Sequence, residues 1–175
     1  MTSLVLIPGM MCDARMWGGL PAALHPRPVA HMIPTGADSM ADLARTLLRD
    51  APPRFTLAGL SMGGILAMEV LAQAPDRVEP LALLATNPLA ELPEVQASRA
   101  PQIAKALSGG LRSVIHDEMK PNYLSKGPGK KAILDLCLDM ALSLGPEVLP
   151  VSCGPCATDL TGKRRWPHSK GRHWS

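Results

Sequence analysis

A serine with a glycine two positions away on either side, Gly59-Leu60-Ser61-Met62-Gly63, constrains this chain more than any other feature. The apolar run Phe55-Thr56-Leu57-Ala58 precedes it, and an amphipathic stretch from Gly64 to Ala74 comes after. These patterns predict strand, sharp turn and helix, with the serine at the apex. So tight a turn forces the strand and helix backbones together, and a Cβ at Gly59 or Gly63 would clash. The helix start beneath the serine offers amides without intrahelical acceptors and the positive end of a dipole.

The flanking sequence extends the strand-helix alternation. Leu4-Val5-Leu6-Ile7 and Pro28 to Pro34 read as strands. Asp38 or Ser39 is placed to cap a helix running to about Asp50, with Ser39 and Asp42 at capping-box spacing and Leu43, Leu47 and Leu48 as its apolar stripe. Arg54 to Leu60 is the third strand. The helix after Ser61, with Ile65, Met68, Val70 and Leu71, stops at Ala74-Pro75. Val78 to Ala85 is a fourth strand, apolar enough to be expected buried on both faces. Strands alternating with helices predict an α/β fold built on a parallel, doubly wound sheet of about four strands. From Pro88 the pattern turns helical: Pro101 to Leu111, Arg112 to Tyr123 and Lys130 to Leu144, broken at Gly109-Gly110, Pro121 and Gly127-Pro128-Gly129. The expected division is a core over 1–87, a helical cap over 88–149 and an irregular basic tail over 150–175.

Composition excludes several classes. At 175 residues and 46% hydrophobic, the chain suits one domain with a proper core. Its uncharged apolar runs fall short of the roughly 20 residues that cross a bilayer. No basic segment precedes an apolar one at the N-terminus, so no signal peptide is read and the expected location is the cytoplasm. Cys12 and Cys137 read as reduced, buried thiols. Aromatic residues at 3% argue against base stacking on nucleic acid. The net charge of +3 belongs to the tail: Lys163, Arg164, Arg165, Lys170 and Arg172 face Asp159 alone, which leaves the first 150 residues at −1.

Near the N-terminus, Leu6-Ile7-Pro8-Gly9-Met10-Met11-Cys12-Asp13-Ala14-Arg15-Met16-Trp17 sets a strand, a Pro-Gly loop and a helix start in sequence. Such a loop can aim a backbone N–H at the serine. With the G-x-S-x-G turn, this string resembles the first strand and oxyanion loop of bacterial α/β-fold hydrolases of the esterase type, in which the serine stands on a nucleophile elbow. The resemblance covers about residues 4 to 149. It implies hydrolysis of an ester or related acyl bond in a small molecule, without a cofactor and without a nucleic-acid or membrane partner. By it Ser61 is the nucleophile, Gly59 and Gly63 shape the elbow, and the N–H groups of Met10 and Met62 form the oxyanion hole. Met62 also follows from mechanism, because the residue after the nucleophile donates there. The bland reading of Met10 and Met11 is core packing, with which a backbone donor is compatible.

A serine hydroxyl needs a base and a carboxylate to orient it. In the resembled family these come after the cap, in the order acid then histidine, whereas only about 26 residues remain after Leu149. His25 and His31 precede the serine. His116, with Asp117 and Glu118, lies on a predicted cap helix and reads as a solvated face. His168 and His173, with Asp159, have the right order but no strand-loop pattern. Base and acid are therefore unassigned, and impaired activity is expected. The tail, rich in Gly, Pro, Cys and Trp, reads either as the product of a single-base shift near Leu149 or as a genuine short, disordered tail. The gene sequence would test this by showing, or failing to show, a strand-Asp loop and a His loop in the alternative frame. Two further patterns occur there. Cys153-Gly154-Pro155-Cys156 has redox-motif spacing without the strand and helix that motif needs. Cys153, Cys156, His168 and His173 approach zinc-finger spacing beside Lys163-Arg164-Arg165. A zinc- or nucleic-acid-binding protein is therefore the alternative function, with Pro167 and Gly171 interrupting the helix it would require.

Overall fold

A computed structural model describes residues 1–37, 39–87, 92–119 and 127–153. Four parallel strands form one sheet in the order β2-β1-β3-β4. They are β1 (Ser3–Ile7), β2 (Val29–His31), β3 (Phe55–Leu60) and β4 (Val78–Leu84). Register runs Leu4↔Val29 to Leu6↔His31 on one side of β1 and Ser3↔Phe55 to Ile7↔Gly59 on the other. β1 and β3 are the central strands and are almost wholly buried.

Side chains alternate across these strands, and each set packs under its own cover. Val5, Ile7, Phe55 and Leu57 join Leu43, Ala44 and Leu47 of α2 (Met40–Asp50) and Leu66, Ala67 and Val70 of α3 (Met62–Gln73). Leu4, Leu6 and Ala58 face the other way, onto Trp17 of a short 3-10 turn (Ala14–Trp17) and Leu24, which ends α1 (Leu20–Ala23). The central strands are thus covered on both faces, as the alternation predicts. The cap of α2 is also as expected: Ser39 Oγ accepts from the Asp42 N–H at 3.1 Å.

Two expectations about elements are corrected. β4 is not a buried strand. Only Val78 is buried, while Leu83 and Leu84 are 41% and 38% exposed. The cause is its place at the sheet edge: among the described residues nothing pairs beyond it. Pro80 fits that place, since it has no N–H to donate, and a register shift opposite Phe55/Leu57 accommodates it. The first helix of the C-terminal half does not begin at Pro101 either. α4 spans Pro93–Lys105, with a proline at its start and Pro101 inside. α4 buries none of its residues, and nothing in its packing explains why Pro101 is tolerated.

Beyond α4 the chain runs through Ala106–Gly110, α5 (Leu111–Ser113), Val114–Met119, α6 (Lys130–Leu144) and α7 (Val148–Cys153). The expected break at Gly109-Gly110 is present: Ser108 and Gly109 leave the helical region, Gly109 at φ 98°. α7 crosses the boundary expected at 150. These helices share a core of Ala106, Leu111, Val114, Ile115, Met119, Leu138, Ala141 and Leu149, joined by Met11 from the loop after β1. The expected break at Pro121 and the tail motifs from Gly154 onward lie outside the described residues.

Candidate active site

β3 ends at Leu60 and α3 begins at Met62, so Ser61 alone makes the turn, at φ 54° and ψ −119°. A non-glycine residue there is strained and persists only where its surroundings over-determine it. The glycines supply the close approach. A Cβ on Gly59 would lie 2.2 Å from the Gly63 carbonyl oxygen, and one on Gly63 would lie 2.3 Å from that of Ile7 and 2.5 Å from that of Pro8. Gly63 therefore locks the start of α3 against the exit of β1, bringing the Pro8-Gly9 loop beside the serine. A Cβ at Gly9 would lie 3.6 Å from Ser61 Cβ. Loop and serine share the carboxyl end of the sheet.

The opposite side of the turn is held by the end of β4 and by Thr86 just beyond it. Ser61 N–H donates to Leu84 O at 2.9 Å, and Thr86 Oγ1 donates to Ser61 O at 2.8 Å. Gly64 is a third required glycine, since its Cβ would sit 2.7 Å from Thr86 Cβ. Sequence reasoning missed Gly64 and Thr86, although the Gly63-Gly64 doublet was a signal. Met62, at the first position of α3, has an amide with no intrahelical acceptor in reach. Ser61 itself makes no side-chain cap hydrogen bond to that helix.

The loop after β1 is a compact turn. Cys12 N–H donates to Gly9 O at 3.1 Å, and Gly9 N–H points at Met16 Sδ at 3.4 Å. Half-buried Met10 lies between Gly9 and Met11, and Met11 is buried at φ 56°. Asp13 caps the Ala14–Trp17 turn by accepting from Arg15 N–H at 2.9 Å. The Arg15 guanidinium grips both Asp13 oxygens, the shortest contact being 2.6 Å, and holds that carboxyl below its ordinary value. Arg15 reaches on to Ser143 Oγ at 3.1 Å.

No histidine among the described residues is brought to Ser61. His25 precedes β2 and is exposed toward the amino end of the sheet. His31 pairs with Leu6, and Leu6 pairs with Ala58, so His31 is two strands from β3 and level with a residue three before the serine. His116 is exposed, with Nδ1 2.7 Å from Asp117 Oδ1, and Glu118 pairs with Lys105 at 2.7 Å. Cys12 and Cys137 are buried and not joined in a disulfide, and the fold gathers them into one cluster with Met140. The described residues contain no cluster of three or more potential metal ligands and no helix long and apolar enough to cross a membrane. Cys156, Asp159, His168 and His173 lie outside the described residues.

The same backbone arrangement occurs in known structures. A thermophilic esterase from Thermogutta terrifontis superposes with a TM-score of 0.73 at 24% identity, over 91% of this chain and 66% of that one. The enol-lactonase from Burkholderia xenovorans LB400 gives 0.75 at 23% identity, over 91% and 67%. The chain has the α/β-hydrolase fold. In sequence, this chain is 33% identical over 96 residues to a pimeloyl-[acyl-carrier protein] methyl ester esterase of Pectobacterium carotovorum, and 31% identical to that of Pectobacterium atrosepticum. Each match takes in 50% of this chain and only 38% of the relative's length. No protein-family model matches the chain.

Proposed function

We propose that this chain carries the nucleophile half of a serine hydrolase acting on an ester or related acyl bond of a small molecule. The observation that carries this reading is the backbone of Ser61: a strained residue between β3 and α3, beside the Pro8-Gly9 loop, with no room for a Cβ at Gly59 or Gly63. Strained non-glycine residues cluster at functional sites. Two methyl ester esterases among the relatives, and an esterase and an enol-lactonase among the structural neighbours, are consistent with ester chemistry.

In this reading Ser61 Oγ attacks the acyl carbonyl, and the negative charge developing on the carbonyl oxygen is met by the N–H groups of Met62 and Met10. The start of α3 adds its dipole. One such donor is worth roughly 3 kcal/mol in the transition state. The helices from α4 to α6 are read as a cap over this site. The described residues bring no base to Ser61, so we expect slow turnover, because loss of the base costs several orders of magnitude in rate. The reduced thiols of Cys12 and Cys137 fit a reducing compartment such as the cytoplasm.

Reaction with a fluorophosphonate tests the assignment. Covalent labelling is expected at Ser61 and nowhere else, and is lost in Ser61→Ala. Labelling that persists in that variant would remove the hydrolase reading. Labelling as fast as in an intact serine esterase would show that a base reaches Ser61 from outside the described residues.

A further inference from the structure

The loop after β1 is fastened to the C-terminal helices as well as to the sheet. Four consecutive residues engage the helices. Met10 packs against the cap core and Met11 is inside it, only 1% exposed among Val114, Ile115, Met119 and Leu138. Cys12 joins Cys137 and Met140 in a second buried cluster, and Asp13 N–H points at Met140 Sδ at 3.4 Å. Met11 also holds φ 56°, a conformation an unbranched side chain adopts only where packing over-determines it.

We infer that Met11 is a positioning residue, by which the cap sets the direction of the Met10–Met11 backbone toward Ser61. The inference rests on the proposed oxyanion role of Met10. The physical link is short. The Met11 side chain is buried among the cap helices, its backbone is held in the left-handed region, and Met10, one residue earlier, packs against the same core. The consequence is a roof rigidly coupled to the reaction centre. Any displacement of α6 or of Val114–Met119 reaches the oxyanion donor without passing through the sheet. Substrate that fills the cap would thereby tune the donor it reacts against.

The test compares the full chain with Met11→Ala and Met11→Leu. Amide hydrogen exchange is followed at residues 9–13, with β3 as internal reference. In Met11→Ala, exchange at 10–13 is expected to accelerate about tenfold or more while β3 stays protected, and Met11→Leu, of similar volume, restores the slow rate. Unchanged loop exchange, or loop exchange that rises only in step with β3, overturns the inference. Should Met11→Ala fail to fold, Leu138→Ala removes another member of the same core from α6. Faster loop exchange supports the coupling there, and an unmoved loop refutes it. Fluorophosphonate kinetics supply the functional readout. The bond-forming rate should fall by about tenfold to a hundredfold in Met11→Ala, with the half-saturating probe concentration little changed. Absence of labelling in the unmodified chain would count against Ser61 as nucleophile, while the exchange measurement would still decide the coupling.

Discussion

At the carboxyl end of the sheet three non-glycine residues, Met11, Ser61 and Ala85, hold positive φ, in the segments after β1, β3 and β4. At the amino end the backbone is tied down by arginines. Arg77, just before β4, donates to four carbonyls, those of Leu48, Ala51, Pro52 and Pro53, at 2.7 to 3.1 Å, and lies 5.7 Å from the Phe55 ring centroid. Arg27, just before β2, donates to Thr2 O at 2.9 Å and to the Thr56 hydroxyl. One end stores strain and the other satisfies polar groups. In open α/β sheets ligands bind outside the carboxyl ends of the strands. The contrast shows where this chain keeps its stability and where it gives some up.

The largest expected effect is at the glycine that joins the elbow to β1. Gly63→Ala places a methyl within 2.3 Å of Ile7 O, and backbone cannot yield as a side chain can. Urea unfolding should show a loss of about 3 kcal/mol or more. A cost below about 1 kcal/mol would mean that the loop and the elbow part easily, and that the carboxyl end is not tightly built. Next comes Arg77→Ala. Hydrogen bonds from a half-buried charged donor are strong, and the carbonyls it serves end α2 and lead into β3, so a loss of about 2 kcal/mol is expected. A neutral result would erase the distinction between the two ends.

The turn at Ser61 was legible because its signal is local. Gly59, Ser61 and Gly63 meet through five consecutive residues, and the patterns around them fix strand and helix. The loop after β1 was legible for the same reason. Features that depended on distant chain were not. β4 has the composition of a buried strand, but its burial depends on what lies beyond the edge. Pro101 obeyed a rule about local backbone that the helix from Pro93 overrides. Arg77 carries no local signal, because its four carbonyl partners lie 24 to 29 residues earlier. Met11 is a loop residue that packs as core, the bland reading of its sequence, but the helices that bury it arrive about a hundred residues later.

Ser61→Gly separates function from stability at a single atom group. The serine side chain makes no cap hydrogen bond, so removing it leaves no partner behind, while glycine adopts positive φ without steric cost. The variant should be more stable by about 1 kcal/mol in urea and wholly resistant to fluorophosphonate. Destabilisation would show that the turn is held by side-chain contacts rather than against its own strain.

The smallest expected effect lies in the Asp13–Arg15 pair, which steadies the same loop by charge. The hydrogen bonds from Arg15 hold the folded Asp13 carboxyl below its ordinary value near 3.8, more than burial raises it. A depressed carboxylate contributes stability that is fully present above the unfolded value and is lost as the pH falls through the folded one. The window therefore lies below about pH 4. Arg15 is about half exposed, so solvent and salt screen the pair. Asp13→Asn keeps an N-capping side chain and removes only the charge. It should cost about 0.5 kcal/mol at pH 7, shrink further in 1 M salt, and cost nothing once the pH is below the folded value of Asp13. A cost near 2 kcal/mol would place a stabilising contact as strong as Arg77 at the carboxyl end. The division between a strained end and an anchored end would then be wrong.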